Sequence, residues 1–190
     1  MGREFELKYR AEEGILAAIR ETYGDFTSIS METTYYDTAD RALSALRWTL
    51  RRRLENGVSV CTLKTPAPGG GRGEWEVESP ALDHAIDALC ALGAPEALKN
   101  LTSQGIHPVC GARFTRLAKT LALPDCTVEL ALDQGWLLGG GKELPFAEVE
   151  VEVKSGSEEA AVAFAAQLSA QFNLIPEAAS KYKRALALAL

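Results

Sequence analysis

The chain has 190 residues, 47% of them apolar and 24% charged, with a formal net charge of −6. That length suits one domain with a sizeable core over residues 1–190, and that charge argues against non-specific adhesion to nucleic acid or an anionic membrane. No apolar run approaches the roughly 20 residues that span a bilayer, and the charged start Met1-Gly2-Arg3-Glu4 lacks the apolar stretch of a signal peptide, so a cytoplasmic protein is expected.

The run Glu4-Phe5-Glu6-Leu7-Lys8 alternates charged and apolar side chains at a period of two, which predicts a strand with Glu4, Glu6 and Lys8 on one face. Ala11 to Tyr23 carries Ile15, Leu16 and Ile19 at helical spacing and stops at Gly24. Ser30 to Tyr36, rich in Thr and Tyr, reads as a strand, and Asp37 to Asp40 as a turn or helix start. Trp48 to Leu54 and Val58 to Thr65 form a hairpin around Asn56-Gly57. Pro66 to Gly71 reads as a flexible connection; its glycines lack the Gly-Lys-Ser/Thr sequel of a phosphate loop. Gly73 to Ser79 is a further alternating strand. Helices follow at Ala81 to Leu92, ending at Gly93, and at Pro95 to Gln104. Strands are then expected at Val109–Ala122, Thr127–Asp133, Gln134–Leu138 and Ala147–Lys154, with Gly139-Gly140-Gly141 leading into the last. Glu158 to Phe172 is helical, with Ala161, Phe164, Ala165 and Leu168 on its apolar face, and another helix runs from about Pro176 to the end. The whole is an α+β fold with mostly antiparallel strands.

Four widely spaced cysteines, Cys61, Cys90, Cys110 and Cys126, without a Cys-x-x-Cys, argue for reduced, buried thiols and against zinc. His84 and His107, far apart, read as surface residues. Chemistry therefore falls to carboxylates, lysines and arginines, and these are sorted by strand. Arg51 and Arg53 share a face, as do Thr62 and Lys64. Glu74, Glu76 and Glu78 lie opposite Trp75 and Val77; Glu129 and Asp133 share a face; Glu148, Glu150 and Glu152 lie opposite Val149, Val151 and Val153. Any one of these strands could simply turn its charged face to water. Together they resist that account, because rows of like charge repel along a strand and solvation alone would favour mixed signs. A sheet curled into a barrel with its charged faces inward resolves the conflict: acidic rows hold divalent cations, and basic rows hold a polyanion that bridges to them. Hard oxygen ligands select Mg²⁺ or Mn²⁺ over zinc.

Glu4-x-Glu6-x-Lys8 resembles the signature of the CYTH domain, the family of triphosphate tunnel metalloenzymes. Further matches follow along nearly the whole chain: Tyr35-Tyr36-Asp37-Thr38, Leu50-Arg51-Arg52-Arg53, Thr62-Leu63-Lys64, Glu74-x-Glu76, Glu129 to Gly135, Glu148-x-Glu150 and Ser180-Lys181. The resemblance implies an eight-stranded antiparallel β-barrel forming an open tunnel, flanked by α-helices. It implies metal ligation by Glu4, Glu6, Glu148 and Glu150, joined by Glu76, Glu129, Asp133 and Glu152. Lys8, Arg51, Arg53, Lys64 and Arg116 are the implied triphosphate-binding residues, and Lys181 the lysine of a C-terminal helix that reaches into the tunnel. Glu4, Glu6, Lys8 and Lys181 are the implied catalytic set. Arg72 and Lys183 are equally suited to the tunnel or to the surface, and Arg113 and Lys119 flank Arg116 on a segment where a slip of one residue changes which side chain points inward.

The implied activity is metal-dependent hydrolysis of inorganic triphosphate to pyrophosphate and phosphate, the resemblance being closest to bacterial triphosphatases in Ala131 to Gly135 and the Glu-x-Glu-x-Glu strand. Other members of the family hydrolyse thiamine triphosphate or nucleoside triphosphates, or cyclise ATP as class IV adenylate cyclases. A non-catalytic module that binds polyphosphate or nucleotides is the second class of reading. Trp48, Trp75 and Trp136 could stack on a base, although Trp75 alternates out of phase with Glu74 and Glu76 and should face away from the tunnel. The expected partner is a small molecule bearing a triphosphate, met by a chain acting as a monomer or homodimer without an accessory domain.

Overall fold

The computed structural model describes residues 2–67 and 72–190; the connection expected at Pro66 to Gly71 falls mostly outside the described residues. The strands are β1 (Gly2–Glu4), β2 (Glu6–Arg10), β3 (Thr27–Asp37), β4 (Thr49–Glu55), β5 (Val58–Pro66), β6 (Arg72–Glu78), β7 (His107–Ala122), β8 (Cys126–Gly139), β9 (Lys142–Gly156) and β10 (Ile175–Pro176). The helices are α1 (Glu13–Tyr23), α2 (Ala42–Ala45), α3 (Leu82–Ala91), α4 (Ala97–Thr102), α5 (Glu158–Phe172) and α6 (Lys181–Leu188). Among the described residues no helix is long and apolar enough to cross a membrane.

All strands join one antiparallel sheet in the order β1-β6-β5-β4-β3-β7-β8-β9-β2-β10. β1 and β2 stand near opposite ends of that order, yet only Phe5 separates them in the chain. The N-terminal segment therefore pairs with β6 through Gly2 to Glu4 and with β9 through Glu6 to Arg10, drawing the sheet into a tunnel-like barrel. Counting β1 and β2 as one interrupted strand gives the expected eight walls, with β10 a two-residue addition beside β2. The β4–β5 hairpin turns at Asn56 and Gly57, both at positive φ as a tight two-residue turn requires.

Three expected boundaries are corrected. Gln134 to Leu138 is not a separate strand: β8 runs unbroken, and β9 begins at Lys142, not Ala147. Gly135 misleads because glycine usually marks a break; here it sits mid-strand because a Cβ would run into the Arg113 carbonyl and the Phe114 backbone. The last helix starts at Lys181, not near Pro176. Pro176 pairs with Tyr9 in β10, and Ser180 caps α6 by accepting the Lys183 amide at 3.1 Å.

Apolar side chains fill three layers. α1 and α5 place Leu16, Ile19, Ala161, Ala165 and Leu168 on the outer face of β2, β8 and β9, against Tyr9, Leu130, Leu132, Val149 and Val151. α3 and α4 cover Leu50, Cys61, Leu63 and Trp75 on β4 to β6. The third layer lies inside one end of the barrel, where α6 packs Ala185 among Met31, Tyr35, Ala112, Phe114, Leu137 and Phe146. All four cysteines are buried and free. The seat of α6 is tight: a Cβ on Gly139 would overlap the Ala185 carbonyl oxygen and lie 3.1 Å from the Leu188 Cβ. Gly139→Val should therefore destabilise the fold by about 1–3 kcal/mol, read as a fall in thermal midpoint of about 2–4 °C per kcal/mol. An unchanged midpoint would mean that α6 gives way freely.

Candidate functional site

Around the ring of walls, β5 stands opposite β8, and β4 opposite β9. That order sets the cationic rows of β4 and β5 across the barrel from the acidic rows of β8 and β9, with the mixed row of β1 and β2 closing the circle. Between them is a cavity of about 350 Å³ lined by Glu4, Glu6, Lys8, Arg51, Arg53, Lys64, Glu76, Arg116, Glu129, Glu150, Glu152 and Lys181 among others. Twelve of the expected site residues thus meet in one space. The remaining two, Asp133 and Glu148, are fully buried and lie outside that lining.

Register fixes the β7 ambiguity. Arg116 opposes Asp133 and points inward, where its Nε and Nη2 donate to the two Asp133 oxygens at 2.8 and 2.7 Å. Arg113 points outward to Glu143 at 2.9 Å and over the Trp136 ring at 5.4 Å; Lys119 donates to the carbonyls of Tyr23 and Gly24 at the end of α1. Arg72 lines the mouth of the cavity although exposed, and Lys183 faces solvent. Of the tryptophans, Trp75 is buried beneath α3 as its phase predicts, Trp48 packs on the same layer, and Trp136 is outside. His84 and His107 are exposed.

At the α6 end of the cavity is a compact ionic layer. The Lys181 ammonium sits 2.8 Å from both Asp133 and Glu150 and in contact with Glu148, over the rings of Phe114 and Phe146 at 5.3 Å each. Arg116 also contacts Glu150, and Arg184 contacts Glu148, so three carboxylates meet three cations. Asp133, Glu148 and Glu150 lie close enough together to hold a metal ion, but the ammonium of Lys181 is already the cation among them. Burial alone would lower the Lys181 pKa; the surrounding carboxylates outweigh it and hold the amine above its ordinary value, fully charged. Glu150 is likewise held well below the usual carboxylate range, its burial outweighed by Lys181 and Arg116.

The rest of the cavity is looser. Glu6 is raised by burial and by the nearby charges of Glu150 and Glu4, while Lys8 reaches it only at 3.7 Å. Glu74 is also raised, burial being the main cause. Glu4 is buried too, but the charge and 2.5 Å hydrogen bond of Lys64, with Arg51 and Arg72, hold it low. Its Oε2 has no hydrogen-bond partner, and neither has the buried Nε of Arg51. Glu76 accepts from Thr62 at 3.1 Å, and Glu152 pairs with Lys154 at 2.9 Å. Arg53, with its Nε on Thr33 at 2.8 Å, is pushed down to about 10 by burial and the neighbouring charge of Arg51. An orphaned acceptor and an orphaned donor in one cavity suit a cation and an anion together.

The sequence reading missed the lining residues Glu55, Lys154 and Tyr182, as well as Arg184 beneath them, and gave no site role to Glu74 or Tyr35 although both stood in the motifs it picked out. Arg184 was within reach of sequence reasoning, since it follows Lys181 by three residues and shares its helical face.

The model of the CYTH domain matches residues 2–186. This chain belongs to the CYTH domain family. An inorganic triphosphatase of Haemophilus influenzae is 27% identical over 191 residues, covering 97% of this chain and 54% of that protein. The chain thus spans about half the length of that curated relative. Among solved structures, a candidate adenylyl cyclase from Hippeastrum described as having a dominant triphosphatase activity superposes with a TM-score of 0.69 at 16% identity, covering 100% of this chain and 97% of that one. A candidate adenylate cyclase of Bacillus halodurans gives 0.67 at 20% identity, with 95% and 96% covered. At such identities the two structures share the family's fold with this chain.

Proposed function

We propose that the chain hydrolyses inorganic triphosphate to pyrophosphate and phosphate, using Mg²⁺ or Mn²⁺. The observation that carries this reading is the pairing of unpartnered groups within one cavity, Glu4 Oε2 on the acidic side and Arg51 Nε on the basic side. The residues suit a hard divalent cation: Glu4, Glu6, Glu76, Glu129 and Glu152 offer carboxylate oxygens on the cavity lining. Asp133, Glu148 and Glu150 are assigned instead to holding Lys181, Glu150 also meeting Arg116. When bound, the cation supplies charge neutralisation at phosphate oxygens and makes water a better acid. Arg51 and Arg53 present guanidinium forks to the phosphates, Lys8 and Lys64 add point charges, and Lys181 is a fixed ammonium at the α6 end. Because Lys181 stays protonated, it stabilises anionic charge and does not act as a base. The relative from Haemophilus influenzae supports inorganic triphosphate as the substrate. Four buried free thiols suit a reducing cytoplasm.

Phosphate release measured with inorganic triphosphate, ATP and thiamine triphosphate, each with Mg²⁺, Mn²⁺ or chelator, tests the proposal. Fastest release from inorganic triphosphate, abolished by chelator, is expected. Faster turnover of an organic triphosphate would move the assignment within the family. Binding without release from any of the three would leave a binding module.

A further inference from the structure

The segment Tyr35-Tyr36-Asp37-Thr38 marks the family in sequence, yet Asp37 has no place in the charge pattern of the cavity. It is fully buried. Its Oδ1 accepts the amides of Thr38 at 2.8 Å and Leu43 at 3.0 Å, which ties down the short helix α2. Its Oδ2 accepts the Ser44 amide at 3.1 Å and the Ser44 hydroxyl. Capping α2 accounts for the amide bonds but not for what lies beyond Ser44. The Ser44 oxygen is 2.7 Å from the hydroxyl of Tyr182, across 138 residues of chain. A serine has one hydroxyl proton, and an ionised carboxylate can only accept, so that proton goes to Asp37. Tyr182 must then donate to Ser44. The relay runs in one direction, from Tyr182 through Ser44 to Asp37, and its carboxylate end is anchored by the backbone.

Tyr182 directly follows Lys181. Its ring packs on Tyr35 with centroids 5.1 Å apart, and its carbonyl accepts from the Cys110 thiol at 3.8 Å. Hydroxyl, ring and backbone of this one residue are thus all held. Lys181 must keep its ammonium in simultaneous contact with three carboxylates, a geometry that tolerates little rotation of the first turn of α6. We infer that Asp37 and Ser44 are positioning residues, which set Tyr182 and through it the placement of the Lys181 ammonium toward the substrate. This rests on the triphosphatase reading only for its kinetic readout.

The test uses Tyr182→Phe, Ser44→Ala and Ser44→Thr in the full chain and in a Lys181→Arg background. With inorganic triphosphate and Mg²⁺, Tyr182→Phe and Ser44→Ala should each lower kcat about tenfold while KM changes less than about threefold. Ser44→Thr, which keeps the hydroxyl, should restore most of the rate. In the Lys181→Arg background the Tyr182→Phe change should have little further effect, since the group it positions is gone. Unchanged kcat, or losses that multiply in full with Lys181→Arg, would overturn the inference while leaving the proposed activity intact. If the wild-type chain releases no phosphate, the activity reading fails and the same variants are scored by calorimetric binding of inorganic triphosphate. A weakening that is lost in the Lys181→Arg background then supports the relay, and additive or absent weakening overturns it.

Discussion

Lys181→Met should cost the fold about 3–5 kcal/mol and reduce triphosphate hydrolysis by about 10²-fold or more. The stability term follows from removing one member of a buried, balanced ionic layer: Asp133, Glu148 and Glu150 would face only Arg116 and Arg184. On the proposed triphosphatase activity, the rate term follows from losing a preorganised cation beside the bound triphosphate. The pH signature separates this account from simple loss of packing. In the wild type the Lys181 pKa is raised, so its stabilisation is complete below the ordinary lysine range and is lost only as pH rises through the still higher folded value. Across the neutral range it is therefore constant. In the variant the uncompensated carboxylates repel, their folded pKa values rise, and the deficit should shrink as the pH falls and they take up protons. A deficit in thermal midpoint independent of pH would show that the ammonium counts only as bulk. Lys181→Arg should recover much of the stability and little of the rate, because the guanidinium keeps the charge but not its placement.

Alternation decided most of what was legible. Period two placed Arg51, Arg53, Lys64, Glu76, Glu150 and Glu152 on the inner wall and Trp75 under a helix, since a strand has only two faces. Depth along the barrel has no such code. Glu148, Glu150 and Glu152 form one uniform row in the sequence, yet Glu148 lies fully buried against Lys181 and Arg184 while Glu152 reaches the lining beside Lys154. What separates them is the seat of α6 inside one end of the barrel, a contact between segments far apart in the chain. Tyr182 and the partner of Asp37 were hidden for the same reason. Arg116 was found but not its register, because one strand cannot show which residue its neighbour opposes. The continuity of β8 was concealed by Gly135, which answers to a close backbone approach and not to a turn.

Glu6→Gln should have the opposite profile to Lys181→Met: loss of activity by orders of magnitude with no loss of fold. Glu6 is disfavoured as an anion, first by burial and then by Glu150 and Glu4, and the charges of Lys64 and of Lys8 at 3.7 Å offset this only in part. A carboxyl whose folded pKa is raised costs stability above that pKa, and the cost vanishes as the pH falls below its unfolded value. The amide removes the charge and keeps the shape. The metal-free variant should therefore be at least as stable as the wild type at neutral pH, with any advantage fading in acid. Such a strained anion is what a divalent cation relieves. Mg²⁺ or Mn²⁺ should stabilise the wild type by RT ln(1 + [M]/Kd) and so raise its thermal midpoint, and Glu6→Gln should lose most of that rise. The wild-type rise should also diminish as the pH drops through the elevated Glu6 pKa, because protons and metal compete for the same oxygens. A variant that hydrolyses inorganic triphosphate at the wild-type rate, or that keeps the full metal-induced rise, would remove Glu6 from the cation site and leave Glu4, Glu76, Glu129 and Glu152 to hold it.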